Sequence, residues 1–211
     1  MLLIRHGQSE WNALGRWQGQ ADPPLSDLGR AQARAAARAL GSLDAIWASD
    51  LQRAAETAVL IGAELGVGPV VLDPDLRERD AGEWSGLTRA EIDERYPGYL
   101  EPPHDEHRHF APAEHWKPRR PPGWEPDELL LARALRALHA IAEAVGGGDV
   151  LVVTHGGLVY TIELHLGADF RRMANAEGRW IVANPDGSLV LGERVQLVNP
   201  DDVAVTVPDQ I

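Results

Sequence analysis

Apolar positions in this chain fall into two rhythms. Short uninterrupted runs occur at residues 2–4 (LLI), 45–48 (AIWA), 70–72 (VVL) and 149–154 (DVLVVT). Runs of this kind, bounded by turn residues, suit strands buried on both faces. Between them, alanine, leucine and arginine recur at helical spacing. That spacing predicts helices over 26–40, 51–65 and 127–145, and shorter ones over 9–14, 88–96 and 157–166. Several ends carry matching residues: Ser9 and Ser26 as N-caps, Gly41 and Gly66 just past C-termini, Pro97 as a stop.

Two further short runs, 180–183 and 188–191, flank Asn184-Pro185-Asp186-Gly187, a hairpin signal. Strands alternating with helices predict an α/β fold: a three-layer sandwich, its sheet mostly parallel, with helices on both faces. Residues 97–126 break the pattern. They hold many prolines, four histidines (His104, His107, His109, His115) and two tryptophans (Trp116, Trp124). A stretch of this length without periodicity predicts a lid insert. The segment after Asn199 is acidic and is expected at the periphery. No internal repeat is visible.

The chain's 211 residues suit one domain, 1–211, with the 97–126 lid inside it. There is no cysteine, which excludes disulfides and thiolate metal ligands. A net charge of −12 argues against nucleic acid as a partner. No stretch is apolar for long enough to span a bilayer, so no membrane partner is expected. The start lacks the pattern of a signal peptide, and the protein is read as cytoplasmic. A small anionic ligand stays compatible, because a few focused arginines outweigh diffuse surface charge locally. All the Lys and Arg residues except Lys117 are arginines.

One coincidence points to chemistry. Two separate strand-like runs, LLIRHG and VLVVTHGG, each end in His-Gly: His6-Gly7 and His155-Gly156. In a parallel sheet both histidines reach the carboxyl edge, where open α/β sheets bind ligands. A glycine after each lets the backbone approach a ligand, and helix N-termini there offer free N–H groups to an anion. Arg5 adds planar donors of fixed charge. Arg53 lies in the first turn of a helix after Ser49-Asp50, where the macrodipole disfavours a cation. It makes sense there with an anion beside it, or paired with Glu56 or Asp50.

These residues belong to five blocks: RHGQSEWN, GRWQGQADPPLSDLGRAQA, SDLQRAAETA, LRERDAGEWSGLT and VVTHGG, in order from residue 2 to about 166. Together they resemble the histidine phosphatase superfamily, in its phosphoglycerate-mutase-like branch. The resemblance implies that His6 is a nucleophile forming a phosphohistidine, its other ring nitrogen donating to a backbone carbonyl. It implies a phosphate pocket made by Arg5, Arg53 and His155, the last as a cation. Asn12 and Gln18 match positions whose amides reach the phosphate, with Gly19 and Gly156 beside it as further binding residues. So many donors make a metal unnecessary, and no metal or cofactor is expected. One carboxyl can serve as both acid and base. Spacing does not choose among Glu78, Asp80 and Glu83; the L-x-E block of the resembled family selects Glu78 and leaves the other two as solvated or structural.

One block departs from that family. Its usual P-G-G-E-S corresponds here to Pro122-Gly123-Trp124-Glu125-Pro126, with an indole for glycine and proline for serine. In the lid, Lys117, Arg119 and Arg120 are candidates for a second anionic group such as a carboxylate, and Trp116 or Trp124 for stacking on a sugar or ring. HDEHRH reads as a solvated loop in preference to a metal site. The reading is a metal-independent phosphatase for a small phosphorylated metabolite. The alternatives are a bisphosphoglycerate-dependent mutase, and a phospho-ligand binding module without turnover. The resemblance also suggests a homodimer.

Overall fold

The structure, a computed structural model, describes residues 1–100 and 119–208. Its strands are β1 (Leu2–Arg5), β2 (Ala45–Ala48), β3 (Val70–Leu72), β4 (Val150–Thr154), β5 (Glu177–Ala183) and β6 (Leu189–Gln196). They form one sheet in the order β3-β2-β4-β1-β5-β6. The pairs β3–β2, β2–β4 and β4–β1 are parallel; β5 runs antiparallel to β1, and β6 to β5. The helices are α1 (Glu10–Ala13), α2 (Asp27–Ala39), α3 (Gln52–Leu65), α4 (Arg89–Arg95), α5 (Asp127–Val145) and α6 (Gly156–His165). Ser9, Ser26 and Thr88 cap α1, α2 and α4 through their side chains, and Gly66 ends α3 in the left-handed conformation.

Alternation along β1 divides the core. Leu3 clusters with Leu130, Leu138 and Ile141 of α5 and with Leu158 of α6. Leu2 and Ile4 cluster with Ala36 of α2 and with Ala54, Ala58 and Ile61 of α3. Helices therefore cover both faces of the sheet, as the sequence predicts. A third apolar cluster joins Trp17, Trp84, Leu87 and Ile92, with Trp124 packed against it. Among the described residues no helix is long and apolar enough to cross a membrane.

Two features differ from the sequence reading. β5 starts before residue 180 and β6 continues past 191, because Arg179 and Arg194 interrupt the apolar pattern while pairing with buried Glu163. The segment after Asn199 is not wholly peripheral: Val203 and Val205 pack against the α2–α3 side of the core. Within the lid, Lys117, Trp116 and the four histidines lie outside the described residues.

Candidate active site

β1 and β4 pair in parallel with Arg5 opposite Thr154. The next residue on each strand is therefore a neighbour of the other. The His6 N–H donates to the Thr154 carbonyl at 3.0 Å, and the His6 and His155 rings meet edge to face with centroids 5.1 Å apart. The two His-Gly strand ends thus become one cluster through sheet register.

His6 is buried, and its Nδ1 lies 2.6 Å from the Gly7 carbonyl. That carbonyl can only accept, so Nδ1 holds the proton of the neutral ring and Nε2 carries the lone pair. The turn after β1 lies tight against α2. A Cβ at residue 7 would overlap the Gly29 carbonyl, and one at residue 29 the Gln8 carbonyl. Both positions therefore require glycine.

The two arginines of the cluster are buried. Arg5 Nη1 donates to the Met173 carbonyl, and Arg53 donates to the carbonyls of Gly19 and Ala21. Arg53 is not paired with the carboxylates near it in sequence: Glu56 pairs with Arg30, and Asp50 with Arg77. Arg5 Nε, Arg53 Nε and His155 Nδ1 are buried without a hydrogen-bond partner. Unsatisfied buried polar atoms are uncommon in folded proteins, and two guanidinium donors beside an imidazole nitrogen suit an anion. The other nitrogen of His155, Nε2, lies 2.8 Å from Ser49 Oγ, which β2 brings alongside β4.

Glu78 faces these cations as a buried carboxylate. It accepts from the N–H groups of Arg79 at 2.8 Å and Gly157 at 3.0 Å. Behind it, Arg133 of α5 donates to the main-chain carbonyls of Asp75, Arg77 and Glu78 and to the Glu125 carboxylate, fixing the segment that carries Glu78. Asp80 accepts from the Gly82 N–H and Glu83 from the Tyr96 hydroxyl, structural uses in line with the sequence reading.

Burial, then Arg53 and Arg5, hold the His6 pKa well below the usual imidazole value, against the opposing bond to Gly7. Burial, then Arg53, His6, Arg133 and Arg5, do the same to His155. His155 is therefore pushed toward its neutral form, by burial first and then by the arginines around it; the expected cation needs an anion beside it. Burial lowers Arg53 to about 10, which leaves it charged at neutral pH.

Of the residues singled out by sequence, Arg5, His6, Asn12, Gln18, Gly19, Arg53 and Glu78 line one cavity. His155 and Gly156 do not line it: His155 stands against the His6 ring, and a Cβ on residue 156 would meet the Arg5 guanidinium at 3.2 Å. Arg119 sits over Tyr99 and Arg120 over Trp124, and neither lines the cavity. Sequence reasoning missed Trp17, Arg79, Ala81 and Gly157, which do. Trp17, Arg79 and Gly157 each adjoin a residue that was chosen. Trp124 forms part of the wall, packed against Trp17 and Trp84, while Glu125 pairs with Arg133. Among the described residues no three His, Asp or Glu side chains are grouped as a metal site needs.

A family model described as the histidine phosphatase superfamily (branch 1) matches residues 1–187. The glucosyl-3-phosphoglycerate phosphatase of Mycolicibacterium vanbaalenii is 39% identical over 168 residues, 75% of this chain and 70% of that protein. The metal-independent phosphoserine phosphatase of Arabidopsis thaliana is 36% identical over 169 residues, 79% of this chain and 68% of that protein. Among solved structures, a mycobacterial glucosyl-3-phosphoglycerate phosphatase complexed with VO3 superposes with a TM-score of 0.71 at 33% identity, covering 91% of this chain and 95% of that one.

Proposed function

Because the chain belongs to branch 1 of the histidine phosphatase superfamily, we propose that it hydrolyses small phosphomonoesters through a phosphohistidine at His6, without a metal ion. One observation carries this reading. A neutral imidazole of fixed tautomer shares a cavity with two buried arginines and one buried carboxylate.

The unprotonated Nε2 of His6 attacks phosphorus as the ester P–O bond breaks in line. Glu78, entering this step as the carboxylic acid, gives its proton to the departing oxygen and is left as the carboxylate. Water then attacks the phosphohistidine, Glu78 takes its proton, and the P–N bond breaks to release phosphate and neutral His6. Arg5 and Arg53 offset charge on the equatorial oxygens, with the amides of Asn12 and Gln18 beside them. A bound dianion reverses the field at His155, so that its Nδ1 can donate to a phosphoryl oxygen as a cation. The relatives' names, glucosyl-3-phosphoglycerate phosphatase and phosphoserine phosphatase, support a substrate with a carboxylate near the phosphate. Arg120, stacked on the cavity-wall residue Trp124 though not itself lining the cavity, is the candidate to meet that carboxylate.

The test is release of phosphate from p-nitrophenyl phosphate in EDTA without bisphosphoglycerate. Wild type should turn over and His6→Ala should not. Inactivity there, with conversion of 3-phosphoglycerate only when 2,3-bisphosphoglycerate is added, would make the chain a mutase.

A further inference from the structure

His6 is gripped by residues outside the cavity. The peptide between His6 and Gly7 is held at both ends: the Gly7 N–H donates to Thr57 Oγ1 at 3.1 Å, and the His6 carbonyl accepts from Asn175 Nδ2 at 3.0 Å. Asn175 is fully buried at the entry to β5, and the same amide group reaches Asn12 Oδ1 at 3.3 Å. Its Oδ1 accepts from the Thr206 hydroxyl at 2.8 Å. The Thr206 oxygen accepts in turn from Gln32 Nε2 at 3.1 Å, and Gln32 Oε1 accepts from the Gln8 N–H at 2.8 Å.

The bonds close a ring: Gln8, Gln32, Thr206, Asn175, and back to His6, two residues before Gln8. Its directions are fixed. The His6 carbonyl and Asn12 Oδ1 both require donors, so Nδ2 of Asn175 faces them and its Oδ1 faces Thr206. The hydroxyl must then donate to Asn175 and accept from Gln32. The main chain supports the same placement: the Asn175 N–H donates to the Thr206 carbonyl and the Ala176 N–H to the Arg5 carbonyl. Ala176 holds a φ of 58°, a left-handed conformation that costs a non-glycine residue and persists where surroundings enforce it.

We propose that Asn175 and Thr206 are positioning residues for His6 and Asn12, so that segment 203–206, beyond the 1–187 matched by the family, belongs to the support of the active site. The inference rests on the function proposed above for its kinetic arm. Neither residue lines the cavity. They set the peptide plane from which the His6 imidazole projects, and the amide of Asn12.

The experiment compares Thr206→Val, which keeps shape but loses the hydroxyl, with Thr206→Ser, which keeps the hydroxyl. Three quantities are read: kcat and KM for p-nitrophenyl phosphate, Tm, and orthovanadate affinity from the fluorescence of the tryptophans around the cavity. Thr206→Val should lower kcat about tenfold and weaken orthovanadate about tenfold, with KM within about twofold. Thr206→Ser should recover most of both. Unchanged kcat and vanadate affinity in Thr206→Val, or equal impairment in Thr206→Ser, would overturn the proposal. If wild type has no phosphatase activity, the functional reading fails separately and the vanadate arm still decides this one. Should Thr206→Val not fold, Asn175→Asp is read in the same way; it keeps the shape and removes the donors facing His6 and Asn12.

Discussion

Glu78 Oε2 accepts a hydrogen bond from the Gly157 N–H at 3.0 Å, and no side chain fits between them: a Cβ on residue 157 would overlap Glu78 Oε1. The second glycine of His-Gly-Gly is thus a contact surface for the carboxylate. Gly157→Ala should push Glu78 out of place and lower kcat on the order of 100-fold, the usual cost of misplacing a reacting group by about 1 Å. Steady-state kinetics on the purified variant checks this. Wild-type kcat in a folded Gly157→Ala protein would mean that Glu78 has no part in the rate.

Glu78→Gln separates the two proton transfers. An alkyl phosphate needs a proton on its leaving oxygen, so its turnover should fall by about 10²–10⁴. With p-nitrophenyl phosphate the leaving group departs without help, while attack of water still lacks its base. Stopped-flow should then show a burst of p-nitrophenolate close to one equivalent, followed by slow turnover. Equal slowing of aryl and alkyl substrates, with no burst, would exclude this role.

The two histidines make stability depend on pH. Both have pKa values held well below the imidazole norm in the folded protein, by burial and by cations. In the unfolded chain they titrate near about 6.5. Below that pH the unfolded state binds more protons than the folded one. Their contribution is therefore complete above about pH 6.5 and is lost as pH falls toward the folded values. Tm should drop between about pH 6.5 and 5.5, and saturating orthophosphate should reduce the drop by letting His155 hold a proton. A Tm slope identical with and without phosphate would contradict the assignment.

Arg120 lies 4.7 Å over the Trp124 ring. If it meets a substrate carboxylate, Arg120→Gln should raise KM for phosphoserine about tenfold, as loss of a charged hydrogen bond does, and leave p-nitrophenyl phosphate unaffected. Parallel KM changes for both substrates would show that the residue only supports Trp124.

Much of the fold was legible because its signals are local. Buried strands such as VLVVT, capping serines and Gly66 act within a few residues of sequence. The candidate site was legible where it sits on those signals: Arg5 and His6 end β1, His155 follows β4, and Arg53 opens α3. What stayed hidden depends on register and burial. Asn175 and Thr206 carry no local pattern, since their partners are chosen only when β5 and the final segment close on β1. The downward pull on the His155 pKa comes from desolvation and neighbouring arginines, which spacing does not encode. The true extents of β5 and β6 were masked by Arg179 and Arg194, whose charges are satisfied by Glu163 on α6.

The central claim is the covalent intermediate on His6. The most direct measurement is rapid mixing with p-nitrophenyl phosphate, quenching in base, where phosphohistidine survives, and mass spectrometry of the digested protein. The proposed mechanism predicts one phosphoryl group, on Nε2 of His6, that accumulates further in Glu78→Gln and is absent from His6→Ala. Turnover by wild type with no phosphorylated His6 in either active protein, or phosphate carried on His155 instead, would contradict it.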